Sequence, residues 1–233
     1  MVDSSTADGD HARRVSVKIC GLTRVRDAQH AERAGAEFLG AILAGGPRLL
    51  DVATASAVLG PRRSGLSRVA VFGSQPREDI VRIVERLDLD IAQLHVAPDA
   101  EDIAFIMKAT GRAVWPVLRV EGTCIPDQTR ELAAAAGALV LDAHVVGQLG
   151  GTGVALDWAA LVNDVAELRR TIPGLQLVLA GGLRSRNVRH AMRLLSPDVL
   201  DVSSGVEASP GVKDPEEVER FLKAVRDAAG NGA

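Results

Sequence analysis

The stretch "VSVKICGLTRVRDAQHAERAG", residues 15–35, holds a complete structural unit. An apolar run, "VSVKIC" (15–20), reads as a buried strand. Gly21 breaks it, Thr23 offers a helix cap, and "RVRDAQHAERAG" (24–35) has the composition of a helix. The same alternation recurs along the chain. Strand-like runs stand at 37–43, 67–73, 90–95, 113–120, 138–142, 175–180 and 198–204, each followed by a helical segment. In "REDIVRIVERL" (77–87), Ile80, Ile83, Val84 and Leu87 recur at helical spacing and form one apolar face. The second helix, near residues 51–59, has the faintest pattern. Eight such units in 233 residues predict an α/β fold, a (β/α)8 TIM barrel over residues 15–230 as a single domain. An open doubly wound sheet is the alternative, because periodicity does not show whether the strands close. The polar opening, "MVDSSTADGDHARR" (1–14), reads as a disordered tail.

Composition narrows the function. Hydrophobic residues make up 47% and charged residues 24%, which suits a globular protein with a substantial core. The net charge is −3 and the Lys and Arg residues are scattered, which argues against a nucleic-acid partner. No apolar run reaches the ~20 residues of a membrane helix, and the tail lacks the apolar stretch of a signal peptide. The two cysteines, Cys20 and Cys124, lie far apart, so free thiols and a cytoplasmic setting are expected, with no membrane partner. Nothing in the spacing of Cys and His predicts a structural metal site.

A barrel builds its active site at the C-terminal ends of its strands. Strand alternation puts Lys18 and Cys20 on one face and Gln93 and His95 on another, while Asp142 ends the sixth strand. Cys20 and Asp142 are thus candidates for a base and an acid across a barrel mouth. A Lys18 ammonium close to Cys20 would favour its thiolate. Read alone, Cys20 also fits a small core residue, Asp142 a helix cap and His95 a satisfied core group. The loop "AGGLRSRNV" (180–188) and the loop "SSGVE" (203–207) follow strands seven and eight, where barrels of this kind hold phosphate. Gly181, Gly182, Ser203, Ser204 and Gly205 are the expected phosphate-binding residues. "GGTG" (150–153) reads as a mobile cover after strand six. Arg48, in the loop after strand two, suits two-pronged recognition of a carboxylate.

Taken in order, "KICGLT" (18–23), "QLH" (93–95), "LD" (141–142), "GGTG" before "DW" (157–158), "LAGGL" with "NV" (187–188), and "DVSSGVE" with "GVKD" (211–214) resemble phosphoribosylanthranilate isomerase. The resemblance runs from about residue 15 to about 222. It implies an aldose–ketose isomerase of tryptophan biosynthesis, acting on a small phosphosugar without cofactor or metal, as a monomer or homodimer. It further implies Cys20 as general base, Asp142 as general acid, Arg48 as the carboxylate anchor, and the last two loops as the phosphate site. Three positions depart from the family pattern. The loop after strand two, "GAILAGGPRLL", lacks the usual aromatic residue and serine, Val96 replaces a glycine after "QLH", and Leu156 replaces a phenylalanine before "DW". Two other readings compete: a different phosphosugar isomerase or epimerase, and a non-catalytic phosphate-ligand binder. The first would need metal ligands from several strands, and the five His do not fall at the necessary strand ends. The second has no use for the Cys20 and Asp142 pair.

Overall fold

The computed structural model describes residues 14–96, 98–120, 124–126, 129–143 and 157–230. The expected cover at 150–153 and the tail through residue 13 lie outside them. Eight parallel strands close into a barrel in chain order: β1 (Ser16–Ile19), β2 (Phe38–Ile42), β3 (Ser67–Phe72), β4 (Ile91–Leu94), β5 (Ala113–Val120), β6 (Ala138–Ala143), β7 (Gln176–Leu179) and β8 (Val199–Val202). The seam is β1 against β8, with Lys18 in register with Asp201 and Ile19 with Val202. This rules out the open sheet.

Among the described residues eight helices surround the strands: α1 (Val25–Ala34), α2 (Val52–Leu59), α3 (Arg77–Leu87), α4 (Ala100–Thr110), α5 (Thr129–Ala136), α6 (Val162–Thr171), α7 (Val188–Leu195) and α8 (Pro215–Gly230). Local chemistry sets their ends. Asp51 caps α2 by accepting from the Thr54 N–H at 2.7 Å, and Asp99 caps α4 through Asp102 N–H at 2.7 Å. The apolar face of α3 is inward: Ile80, Val84 and Leu87 are buried and Ile83 is partly so. Two helices begin later than their composition suggests. Ahead of α6, the Asp157 carboxylate accepts from Ala160 N–H at 3.3 Å in a turn, and Trp158 is buried beside His190. Ahead of α7, Asn187 Oδ1 takes the Arg184 N–H at 2.7 Å and holds residues 184–187 out of the helix. One feature had no signal in the sequence. After a 3₁₀ turn, Ser204–Val206, a small antiparallel ribbon forms from β9 (Glu207–Ser209) and β10 (Val212–Lys213). Strands of three and two residues are too short to display an alternation.

The barrel has two cores, one on each side of its wall. The outer one packs strands against helices. The inner one fills the lumen with Ile91, Trp115, Val140, Val178 and Val199 among others. Phe38 lies against Trp115 with ring centroids 5.3 Å apart, and the Trp115 indole N–H donates to Gln176 Oε1 at 3.1 Å. Two residues further along each strand, alternation brings the next side chain to the same face. From Ile91, Val117, Val140 and Val199 these are Gln93, Arg119, Asp142 and Asp201. The lumen is therefore apolar at its floor and polar towards its mouth. Trp115→Ala should cost about 3–5 kcal/mol, by opening a cavity in the floor. Denaturant unfolding monitored by circular dichroism checks this; a loss well under that range would mean the floor collapses around the smaller side chain.

Candidate active site

At the mouth lies a cleft with about 790 Å³ of empty space, part of it open to solvent. Cys20, Gln93, His95, Asp142, Asp201 and Arg48 line it. So do Gly181 and Gly182 from the loop after β7, and Ser203, Ser204 and Gly205 from the loop after β8. Every site residue expected from the sequence within the described chain thus opens on one cleft. Closure of the sheet is what gathers them, since β1 and β6 are not neighbours in the barrel.

Cys20 follows the last residue of β1 and is 6% exposed. Beside it Lys18 is fully buried, its Nζ 2.7 Å from Asp201 Oδ2 and 2.7 Å from Gln93 Oε1. Gly40 of β2 leaves the space for both: a Cβ there would stand 3.0 Å from Cys20 Sγ and 3.0 Å from Lys18 Cε. Burial works against the Lys18 charge, but the Asp201 carboxylate and Cys20 outweigh it and hold the ammonium above the usual lysine range. For the thiol the balance is reversed. Burial pushes Cys20 up, Lys18 pulls it back, and Asp201 adds to the rise. Lys18 therefore favours the thiolate, as its position in the sequence suggested, yet does not overcome desolvation. An anionic Cys20 here is more basic than a thiolate in water.

His95 is half-buried, and its partial burial, with the nearby Arg119 and Lys18 charges, lowers it to about 4. It is a neutral imidazole at pH 7. Its Nδ1, Asp201 Oδ1 and Ser203 Oγ are buried without a hydrogen-bond partner among the described residues. All three belong to residues of the cleft wall. Buried polar atoms are nearly always paired, so three such atoms around one cleft mark a site built for a polar ligand.

The two glycine loops lie side by side. Gly181 and Gly182 adopt left-handed backbone, with φ of 82° and 65°. Asn187 pins this loop by donating from Nδ2 to Gly182 O at 3.0 Å. Gly205 touches it from the other side: a Cβ there would meet the Leu183 carbonyl oxygen at 1.9 Å, so no other residue fits. The 3₁₀ turn Ser204–Val206 follows Ser203, and Ser203, Ser204 and Gly205 line the cleft.

Arg48 is 7% exposed and already engaged. Its Nε and Nη2 donate to the two carboxylate oxygens of Glu207 at 2.8 and 2.6 Å. This pair has no counterpart in the sequence reading, and neither do Asp201, Lys213 and Arg119. Asp201 was within reach of the sequence, since β8 alternation puts it on the face of Ser203. Glu207 and Lys213 were not, because they sit on the unforeseen ribbon.

Two measurements check these electrostatics. In a Cys124→Ser background, Lys18→Met should move the pH midpoint of Cys20 alkylation upward, because the neighbouring positive charge is lost; an unmoved or lower midpoint would show that Lys18 does nothing for the thiolate. The imidazole resonances of His95 should not titrate between pH 5 and 8, and a midpoint near 6.5 would contradict the neutral, half-buried ring.

The comparisons with known proteins agree with this geometry. The family model described as N-(5'phosphoribosyl)anthranilate (PRA) isomerase matches residues 17–224. The N-(5'-phosphoribosyl)anthranilate isomerase of Pseudomonas aeruginosa (strain LESB58) is 38% identical over 214 residues, covering 91% of this chain and 95% of its own. The crystal structure of phosphoribosyl anthranilate isomerase from Thermus thermophilus superposes with a TM-score of 0.77 at 33% identity, covering 91% of this chain and 99% of its own. A second isomerase structure, in complex with reduced 1-(o-carboxyphenylamino)-1-deoxyribulose 5-phosphate, gives a TM-score of 0.74 at 28% identity, with 91% and 99% covered. On the extent of these matches and the order of its motifs along a closed barrel, the chain belongs to the N-(5'-phosphoribosyl)anthranilate isomerase family.

Proposed function

We propose that this isomerase of tryptophan biosynthesis rearranges N-(5-phosphoribosyl)anthranilate with Asp142 as general acid and Cys20 as general base. The product is 1-(2-carboxyphenylamino)-1-deoxyribulose 5-phosphate. The observation that carries the reading is the shared cleft, with Cys20 and Asp142 on its wall and two glycine loops at one end. In this reading Gly181, Gly182, Ser203, Ser204 and Gly205 hold the phosphate, through backbone N–H groups and two hydroxyls. Arg48 holds the anthranilate carboxylate. The ribose then spans the cleft between the two anion sites.

The chemistry needs only proton transfers. Asp142 gives its proton to the ring oxygen as the bond from that oxygen to C1′ breaks. The nitrogen lone pair forms the C1′=N bond, leaving a cationic Schiff base and a free hydroxyl. That cation acidifies C2′–H, and the Cys20 thiolate removes the proton. The C–H electrons form C1′=C2′ and the nitrogen regains its lone pair, giving an enolamine. Loss of the C2′ hydroxyl proton and protonation of C1′ then yield the ketone. Cys20 has gained one proton and Asp142 has lost one, so exchange with solvent restores both. No electron leaves the substrate.

The buried setting suits each step. A thiolate in a dry cleft is more basic than one in water, and the Schiff-base cation stabilises it as the proton moves. His95, neutral beside Gln93, adds a polar wall without adding charge to the cleft.

A fluorescence assay on freshly prepared phosphoribosylanthranilate tests these roles. Cys20→Ser and Asp142→Asn should each lower kcat by at least about 10²-fold, the usual contribution of a positioned acid or base. Both variants should still bind a reduced product analogue. Wild-type turnover in either variant removes that residue from the mechanism. Turnover absent from the wild-type protein itself would favour the non-catalytic phosphate binder.

A further inference from the structure

A guanidinium presents two edges on which a carboxylate can dock in parallel: one formed by Nε and Nη2, the other by Nη1 and Nη2. In Arg48 the first edge is filled by Glu207, while the residue also lines the cleft. Among the described residues no hydrogen bond is made by Nη1, so the second edge is taken by none of them. Glu207 is itself fixed on three sides. Its Oε1 accepts from Lys213 Nζ at 2.8 Å and from Gly211 N–H at 3.3 Å, besides Arg48. Lys213 Nζ donates onward to the Ser203 carbonyl at 3.1 Å. A continuous chain of hydrogen bonds therefore runs from the loop after β2 to the loop after β8. The side chains of Arg48, Glu207 and Lys213 are 8%, 4% and 2% exposed, so water competes for none of these bonds.

Gly21 permits the arrangement. Its φ is 69°, and a Cβ there would lie 2.5 Å from Arg48 Cδ and 2.8 Å from Ser203 Oγ. Only glycine lets the arginine of one loop and the serine of another meet over the end of β1. Two basic side chains, Arg48 and Lys213, share the single carboxylate of Glu207, although burial holds Lys213 below the usual lysine range.

We infer that Glu207 is a positioning residue for recognition of the substrate carboxylate, holding Arg48 by one edge so that the other faces the cleft. Through Lys213 and Ser203 it also sets the span between that edge and the phosphate loop. The brace thereby selects ligands whose carboxylate and phosphate are separated by that span. The inference rests on Arg48 as the carboxylate anchor.

Calorimetry with two ligands tests it: reduced 1-(o-carboxyphenylamino)-1-deoxyribulose 5-phosphate, and the same molecule lacking the carboxylate. Glu207→Ala should weaken the first about tenfold, equivalent to ~1.4 kcal/mol, and leave the second within about twofold. The second ligand also reports that the barrel and its phosphate site remain folded. Glu207→Gln, which keeps one acceptor, should fall between wild type and Glu207→Ala. For the reaction, KM should rise in Glu207→Ala while kcat changes less. In an Arg48→Ala background, Glu207→Ala should have no further effect on the preference for the carboxylate ligand. Equal weakening of both ligands would make Glu207 a structural residue only. Tighter binding of the carboxylate ligand would make it a competitor for Arg48, and either result overturns the inference. If Arg48→Ala alone leaves both affinities unchanged, the carboxylate anchor is assigned to the wrong residue and the brace falls with it.

Discussion

The ion pair of Lys18 and Asp201 joins the first strand of the barrel to the last. The two residues are in register across the β1–β8 seam and fully or almost fully withdrawn from water. Charges buried this deeply are tolerated only in good geometry, and losing one partner typically costs about 3–5 kcal/mol. Their geometry exists only when the sheet is closed. The pair also forms the base of the cleft. Gln93 completes the coordination of Lys18, and Cys20 sits beside it. An apolar pair of similar volume would fill the same space, but it would place no positive charge beside the thiol.

The cleft is electrically divided. Beneath Cys20, the Lys18–Asp201 pair is balanced in charge. At the rim, two basic side chains, Arg48 and Lys213, share one carboxylate, Glu207. Burial alone disfavours the Cys20 thiolate, and Lys18 offsets part of that effect. The proposed role of Cys20 as a base is consistent with this balance, because full stabilisation of the thiolate would weaken it as a base. The rim works differently. There the pairing of Arg48 with Glu207 fixes the orientation of the guanidinium, which the proposed reading uses to bind a carboxylate.

The barrel was legible because its strands are buried on both faces and its helices on one. Continuous apolar runs such as "SRVAVF" (67–72) alternate with 3.6-residue patterns such as 77–87, and strand limits fall within one or two residues of the expected ones. Even α2, the faintest pattern, forms with Asp51 as its cap. Legibility failed where a side chain takes over from the helix, as Asp157 and Asn187 do ahead of α6 and α7. It failed again at the β9–β10 ribbon, whose strands are too short to show an alternation and which is tied to α1, where the Asp27 carboxylate accepts from Lys213 N–H at 3.1 Å. The motif "DVSSGVE" marked its serines and glycine for the phosphate loop. It did not show that its last residue turns back to hold an arginine 159 positions earlier.

By itself the sequence determined the unit and its repetition, and which side chains stand at strand exits. Those are properties of local periodicity, and neighbouring residues are enough to express them. Tertiary structure alone decided that Lys18 meets Asp201 across 183 positions, and that Glu207 occupies one edge of Arg48. These pairings depend on closure of the sheet and on the path of two loops over its end. No local pattern encodes a contact whose partners are brought together only when the last strand docks against the first.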